Sequence, residues 1–333
     1  GLQYFTESLS TSSPNSAVPV VQLAPNHAAS SVDIVIGPKG QGAILAQVPD
    51  NTGAGGNKRG LFSVDFQTIR SVATQVASGN SSFIGSGGNN TLSGSNSSIV
   101  SGFSHTVTAN YSFLGGGYLH NQSGGNQALA GGERHTMSGN YGFIGGGYSN
   151  TDSGTYNTIS GGNTNSASGT ATTVGGGTNN GTSGNFSTVG GGSANAAQAT
   201  GSVIPGGIRL TILPSAGGVF GFNGDTTAYG MNLTLPQLSV IGNTNLAIGG
   251  TDGKAHEFRY YEAQSGSTYF PASAAINYTA FKAGTQSSDI TYTLPTAQGG
   301  ANTYLKNDGS GVLSWGSPSS LANFVESVNS SAP

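Results

Sequence analysis

Three histidines, His105, His120 and His135, stand fifteen residues apart, and the last ends the row Glu133-Arg134-His135 between glycine pairs and triplets. Two chemistries suit such residues. Repeated imidazoles can hold a metal or an anion, and an acid, a cation and a base beside glycine-rich loops can form a catalytic or phosphate-cradling site. Other carboxylates are Asp152 and, in the C-terminal half, Asp225, Asp252, Glu257 and Glu262. Glycoside cleavage needs a facing pair. Glu133 and Asp152 occupy different positions of the local pattern, and no spacing selects the other four. His256-Glu257 lacks the second histidine of a zinc-helix motif, and no lysine follows the glycine triplets as in a P-loop. The expectation is therefore a chain without enzymatic activity, catalytic residues or cofactor.

The composition agrees. Charged residues make up 7% of the 333 residues, against roughly 25% in an ordinary soluble domain. There are 57 glycines, yet 13 Tyr and 14 Phe leave something to bury. The net charge is −3 and the basic residues are scattered, so no nucleic-acid partner is expected. Cysteine is absent, no run of 18 apolar residues suggests membrane insertion, and the opening GLQYFTESLS lacks the basic and apolar regions of a signal peptide.

What positions these residues is a repeat. From about residue 80 to 207 the chain has a strict period of 15. An aliphatic residue recurs at Ile84, Ile99, Leu114, Leu129, Ile144, Ile159, Val174, Val189 and Ile204. Three residues on, a glycine recurs at Gly87, Gly102, Gly117, Gly132, Gly147, Gly162, Gly177, Gly192 and Gly207. Three further on stand Asn90, His105, His120, His135, Asn150, Asn165, Asn180 and Asn195, and a second glycine or alanine follows at the Gly94 position of each coil. Fifteen residues rich in Gly, Ser and β-branched types suit two short strands and two tight turns, one coil of a parallel β-solenoid. Nine such coils predict a rod on the order of 40 Å long. The aliphatic column points inward and the glycines turn. One constant aliphatic residue per coil is thin for a monomer, so threefold association is expected to supply burial.

Within this frame the histidine column has two readings. Stacked one coil apart, about 5 Å, the imidazoles could bind an ion. Against this, the same column is Asn in five other coils, and Asn and His share a tendency toward left-handed backbone. A turn with φ > 0 explains both and is the favoured reading; no metal is assigned. Glu133-Arg134 replaces Tyr118-Leu119, Tyr148-Ser149 and Asn163-Thr164 of other coils, which marks a solvent-facing turn with a local ion pair. The aromatics Phe83, Phe103, Tyr111, Phe113, Tyr118, Tyr141, Phe143, Tyr148 and Tyr156 cluster in the first coils and read as core or inter-subunit packing, with glycan contact as the alternative.

The aliphatic-Gly step resembles the head repeats of trimeric autotransporter adhesins of the YadA type, which implies a left-handed, trimeric β-roll; no heptad stalk or anchor barrel follows it here. Outside the repeat, IVIGPKGQGAILAQVPD (Ile34–Asp50), GGNKRG (Gly55–Gly60), HEFRYYE (His256–Glu262), TAFKAG (Thr279–Gly284) and ITYTLPTAQGGANTYLKNDGSGVLSWG (Ile290–Gly316) resemble bacteriophage tail-fibre and related viral fibre proteins. That resemblance implies a homotrimeric, elongated fibre without enzymatic activity.

The resulting expectation is an all-β homotrimer. It comprises an N-terminal β-module (1–79), the solenoid (80–207), a β linker module (208–255) and a C-terminal β-module (256–320). Residues 321–333 then begin a second copy of the N-terminal module, since FTESLSTSSP (Phe5–Pro14) matches FVESVNSSAP (Phe324–Pro333). Strands are expected in Ala17–Leu23, Val32–Gly40, Gly42–Asp50, Asn57–Arg70, Asp289–Pro295 and Thr303–Gly316. The expected role is attachment: a tail or capsid fibre of a virion whose partners are further copies, other virion proteins and a host glycan or protein receptor. The alternatives are a bacterial surface adhesin or filament subunit and a polysaccharide-cleaving tailspike.

Overall fold

The computed structural model describes residues 5–10, 20–25, 31–224, 230–242, 257–261, 278–282 and 290–317. Their elements are all β, and the chain divides into two compact units, Gly1–Asn245 and Leu246–Pro333.

The first unit is dominated by a parallel β-solenoid of about 12 turns. Each regular coil contributes one two-residue strand to a 13-stranded sheet and one to a 10-stranded sheet, and both sheets keep sequential coils in contact. Pairing is in register at one coil: Leu129 lies opposite Leu114 and Ile144, and Met137 opposite Gln122 and Asp152. The solenoid therefore extends beyond the nine coils expected. Parallel pairing begins at Ile44–Leu45 and ends at Ser239–Gly242. The additional coils are irregular in length: Ile44 pairs with Val64, Val64 with Phe83, Val203 with Phe220 and Phe220 with Ser239. These offsets differ from 15, so a search for a fixed period stops short of them.

Burial is complete within one chain. All nine residues of the Ile84 column are fully buried, and so is a second column on the opposite sheet: Leu92, Val107, Gln122, Met137, Asp152, Ala167, Thr182 and Ala197. Between them, at the two corners, run the Asn/His column and a Ser-rich column containing Ser82, Ser97, Ser112, Asn157, Thr172, Ser187 and Ser202, all buried. The expectation that a second chain must complete the core is thus corrected. The opposite sheet completes it, with residue types too varied to stand out as a conserved column.

At the N-terminal end the aliphatic column passes to Asp65, paired with Ile84. Its carboxylate accepts from Arg59 Nε at 2.8 Å and lies 3.3 Å from Arg70 Nη2, with all three side chains buried. Arg70 also binds the carbonyl of Gln67 and the amide of Gln47, so an ionic plug closes the apolar core. An antiparallel hairpin, Phe5–Ser10 with Val20–Pro25, lies upstream. Val32–Gly40, expected as a strand, forms none. Val32, Ile34, Val35 and Ile36 are exposed there.

In the second unit, Glu257–Tyr261 pairs antiparallel with Tyr278–Lys282, and Tyr304–Asn307 with Leu313–Gly316. The latter hairpin turns through Asp308-Gly309-Ser310-Gly311. The Asp308 carboxylate accepts from the Ser310 hydroxyl and from the Ser310 backbone N–H, each at 2.8 Å, and from the Val312 N–H at 3.0 Å, which holds its pKa below the ordinary value. Trp315 Nε1 donates to the Ala297 carbonyl at 2.7 Å. Of the expected strand Asp289–Pro295, Thr293 makes a parallel bridge to Val312. Asp225, Asp252, His256, Glu262 and the Phe324–Pro333 match lie outside the described residues.

Candidate functional site

The corner between Gly102 and Thr106 shows how the histidines are held. The residue before each member of the column takes the left-handed conformation: Asn89, Ser104, Leu119, Arg134, Ser149, Thr164, Asn179 and Ala194 have φ from 54 to 60°. The turn glycines of the Gly87 column also have positive φ, from 84 to 108°. His105, His120 and His135 are not among the positive-φ residues and are fully buried or nearly so. The reading of this column as a turn residue is therefore displaced by one position: the turn is at 104, 119 and 134, and the histidine points inward.

There it belongs to a ladder. Asn90 Oδ1 accepts from the His105 backbone N–H at 3.0 Å, His105 Nδ1 from His120 at 3.2 Å, His120 Nδ1 from His135 at 3.1 Å, and His135 Nδ1 from Asn150 at 3.0 Å. The carboxamides of Asn150, Asn165, Asn180 and Asn195 continue it, each accepting from the next coil at 2.9–3.0 Å. Each Asn Nδ2 donates to a glycine carbonyl of the next coil, as Asn150 does to Gly162. Imidazole mimics this carboxamide, with Nδ1 in place of Oδ1 and Nε2–H in place of Nδ2–H. The accepted N–H bonds place the ring proton on Nε2, and for His105 that atom faces the carbonyls of Gly117 and Ser101 without a hydrogen bond of ordinary geometry.

The rings lie parallel, 4.9 and 5.0 Å apart. Burial pushes the His105 pKa down to about 4; burial and its two neighbouring imidazoles push His120 down to about 3; burial also lowers His135. A shared ion needs lone pairs that converge, and here each Nδ1 lone pair is already engaged while the ring planes are parallel. Among the described residues no three His, Asp or Glu side chains are placed to hold a metal. The ladder is a scaffold: it satisfies one buried backbone donor per coil.

Glu133 and Arg134 form an ion pair at 2.8 Å, roughly half exposed, and Arg134 also donates to the Tyr148 hydroxyl at 2.8 Å. Asp152 lies inside the coil, on the opposite sheet, so it shares no surface with Glu133. These two carboxylates do not form a pair.

The outward positions instead make two contrasting faces. On six successive strands of the 10-stranded sheet the outward residues are Thr91 and Ser93, Thr106 and Thr108, Asn121 and Ser123, Thr136 and Ser138, Thr151 and Ser153, Ser166 and Ser168, and the next rungs carry Gly181 with Ser183 and Ala196 with Gln198. Over the six strands this is an uncharged, non-aromatic array of hydroxyls broken only by the Asn121 carboxamide, with rungs about 4.8 Å apart and a spacing of about 7 Å along each strand. On the 13-stranded sheet the outward residues include Phe83, Phe113 and Phe143. Its flanking corners carry Tyr111, Tyr141 and Tyr156 on one side and Phe103, Tyr118 and Tyr148 on the other. Tyr141 stacks on Tyr156 at 4.9 Å and Phe103 on Tyr118 at 6.4 Å. Every one of these nine rings is at least 37% exposed in the single chain, so none belongs to the core. The sequence grouped them as aromatics of the first coils. It left open which sheet they cover, and it passed over the hydroxyl face because Ser and Thr are common throughout.

A family model described as the grass antifreeze beta roll matches residues 63–161, the N-terminal part of the solenoid. No curated protein matches the chain. Over that span the chain is similar to an antifreeze β-roll, in keeping with the parallel β-solenoid seen throughout the first unit.

Proposed function

We propose that this chain is the protomer of a homotrimeric fibre without enzymatic activity, carried on a virion as a tail or capsid fibre. Its solenoid is a rigid shaft and its surfaces meet a host glycan or protein receptor. The observation that carries this reading is the exposed aromatic face on a chain whose core is already complete. Nine clustered rings exceed the scattered apolar exposure of an ordinary monomer and mark a surface meant to be covered. The viral-fibre resemblance of Ile34–Asp50 and Ile290–Gly316 supports placement on a virion. Three equivalent hydroxyl faces on one shaft add weak receptor contacts through avidity. Light scattering tests the assembly: a mass near three times 33.1 kDa is expected, and a mass of 33.1 kDa rejects it. Detection of the chain in purified virus particles tests the placement.

A second reading is favoured by one specific observation. The Thr/Ser array lies partly within residues 63–161, where the antifreeze β-roll model matches. A regular, uncharged, hydroxyl-rich lattice suits ordered water, so an ice-contacting role belongs to this face. Thermal hysteresis or inhibition of ice recrystallisation by the purified chain tests it; neither effect at high protein concentration rejects it.

A further inference from the structure

From Phe83 to Thr158 the outward positions of the 13-stranded sheet alternate in size with a period of two coils, and Thr173, Thr188 and Val203 follow without alternation. Phe83, Phe113 and Phe143 occupy every second rung, and Ser98, Ala128 and Thr158 the rungs between. Two residues on, each Phe rung carries Gly85, Gly115 or Gly145. A Cβ at Gly85 would lie 2.9 Å from the Phe83 ring, so that ring lies along its strand over bare backbone and its far face is left to solvent. Phenyl rings are wider than one rung, and the small residues between give each ring two rungs, about 9.6 Å, in which to pack. From Phe83 to Pro205 no outward residue of this sheet is charged, so like faces meet without repulsion.

We propose that this face is where copies of the chain meet, three of them turned toward a common axis. Phe83, Phe113 and Phe143 then each form a three-ring layer, separated by layers of Ser98, Ala128 and Thr158. This rests on the homotrimer proposed above and names its contact surface. The occupant is a second copy because the spacing of the rings is set by the chain's own coil repeat, which a like face matches layer for layer. The aromatic stretch from Phe83 to Tyr156 spans six rungs of the sheet, about 24 Å from first to last, and a threefold axis shares it between two neighbouring copies. The 10-stranded hydroxyl face then stays outward, free for a ligand.

The test uses the full chain. In the double variant Phe113→Ser and Phe143→Ser, the residue type already present at Ser98 replaces two rings. The expected result is a fall from trimeric to monomeric mass with the β circular-dichroism signal retained. A trimeric mass in the folded variant overturns the proposal while leaving the fibre reading intact; a monomeric parent chain overturns both. Because the chain has no cysteine, a second measurement stands if the double variant does not fold. Ser98→Cys, close to the axis, is expected to give a disulfide-linked dimer on mild oxidation, and Ser138→Cys on the opposite face is not. Absence of a dimer from Ser98→Cys, or equal crosslinking from both, overturns the proposal.

Discussion

His120 Nδ1 accepts a hydrogen bond from the backbone N–H of His135 at 3.1 Å, the same bond that Asn165 Oδ1 accepts from Asn180 at 2.9 Å. The two side chains are interchangeable only while the imidazole is neutral, because protonation would put a second donor against the N–H. His120→Asn should therefore keep the stability within about 1 kcal/mol, whereas His120→Ala strands a buried donor and should cost about 1–3 kcal/mol. Urea denaturation of the two variants checks this.

The same relationship sets an acid limit. The unfolded histidines bind protons near their ordinary value of 6.5, the folded ones only near about 4 for His105 and about 3 for His120. Between these values the unfolded chain holds more protons, so stability falls as the pH falls from 6.5 toward 4 and is fully present above 6.5. Replacing His105, His120 and His135 together by Asn should flatten that slope. Midpoints of denaturation measured across pH 4 to 7 decide it; an unchanged slope refutes the ladder's part in it.

Asp152 is the reverse case. Its Oδ1 accepts from Asn157 Nδ2 at 2.9 Å, while Oδ2 is buried without a partner, and burial raises its pKa. A carboxyl that holds its proton more tightly when folded weakens the fold as pH rises above its ordinary range. Asp152→Asn should stabilise the chain at pH 7 by about 1 kcal/mol or more, with the gain shrinking on acidification. Denaturation at pH 4 and pH 7 checks both the sign and the trend.

Core and turn positions separate cleanly. Ile144→Ala removes a fully buried column residue and should cost about 2–5 kcal/mol. Gly117→Ala should also be costly, because φ is +104° and the added Cβ would meet the Gly132 carbonyl oxygen. Leu119 carries a side chain at φ +55°, and Leu119→Gly should gain up to about 1 kcal/mol. Thermal unfolding of the three variants gives the ranking, and a loss at Leu119→Gly equal to that at Gly117→Ala contradicts it.

The period, the Ile84 column and the turn glycines were legible because each follows from one geometric demand repeated without variation. The second inward column was not. Gln122, Asp152 and Thr182 sit among Leu92, Val107 and Met137 because a polar side chain there can find a partner inside the coil, as Asp152 does in Asn157 and Thr182 in Thr172. The histidines were misplaced by one residue for a related reason. Left-handed backbone is imposed by the coil at Tyr111, Leu119 and Tyr141 whatever the residue type, so preference for that conformation could not identify the turn. The outer coils escaped because their loops, including the one through Arg59 and Asp65, differ in length.

Between Phe83 and Phe143 the alternation with Ser98, Phe113 and Ala128 makes thirty residues, not fifteen, the natural unit of growth. Duplicating one coil there lengthens the shaft by about 4.8 Å but sets two like rungs side by side and shifts every later ring out of phase with a copy of the original length. Duplicating two coils preserves the phase. Beyond Thr158, where Thr173, Thr188 and Val203 carry no ring, a single added coil lengthens the shaft without disturbing it.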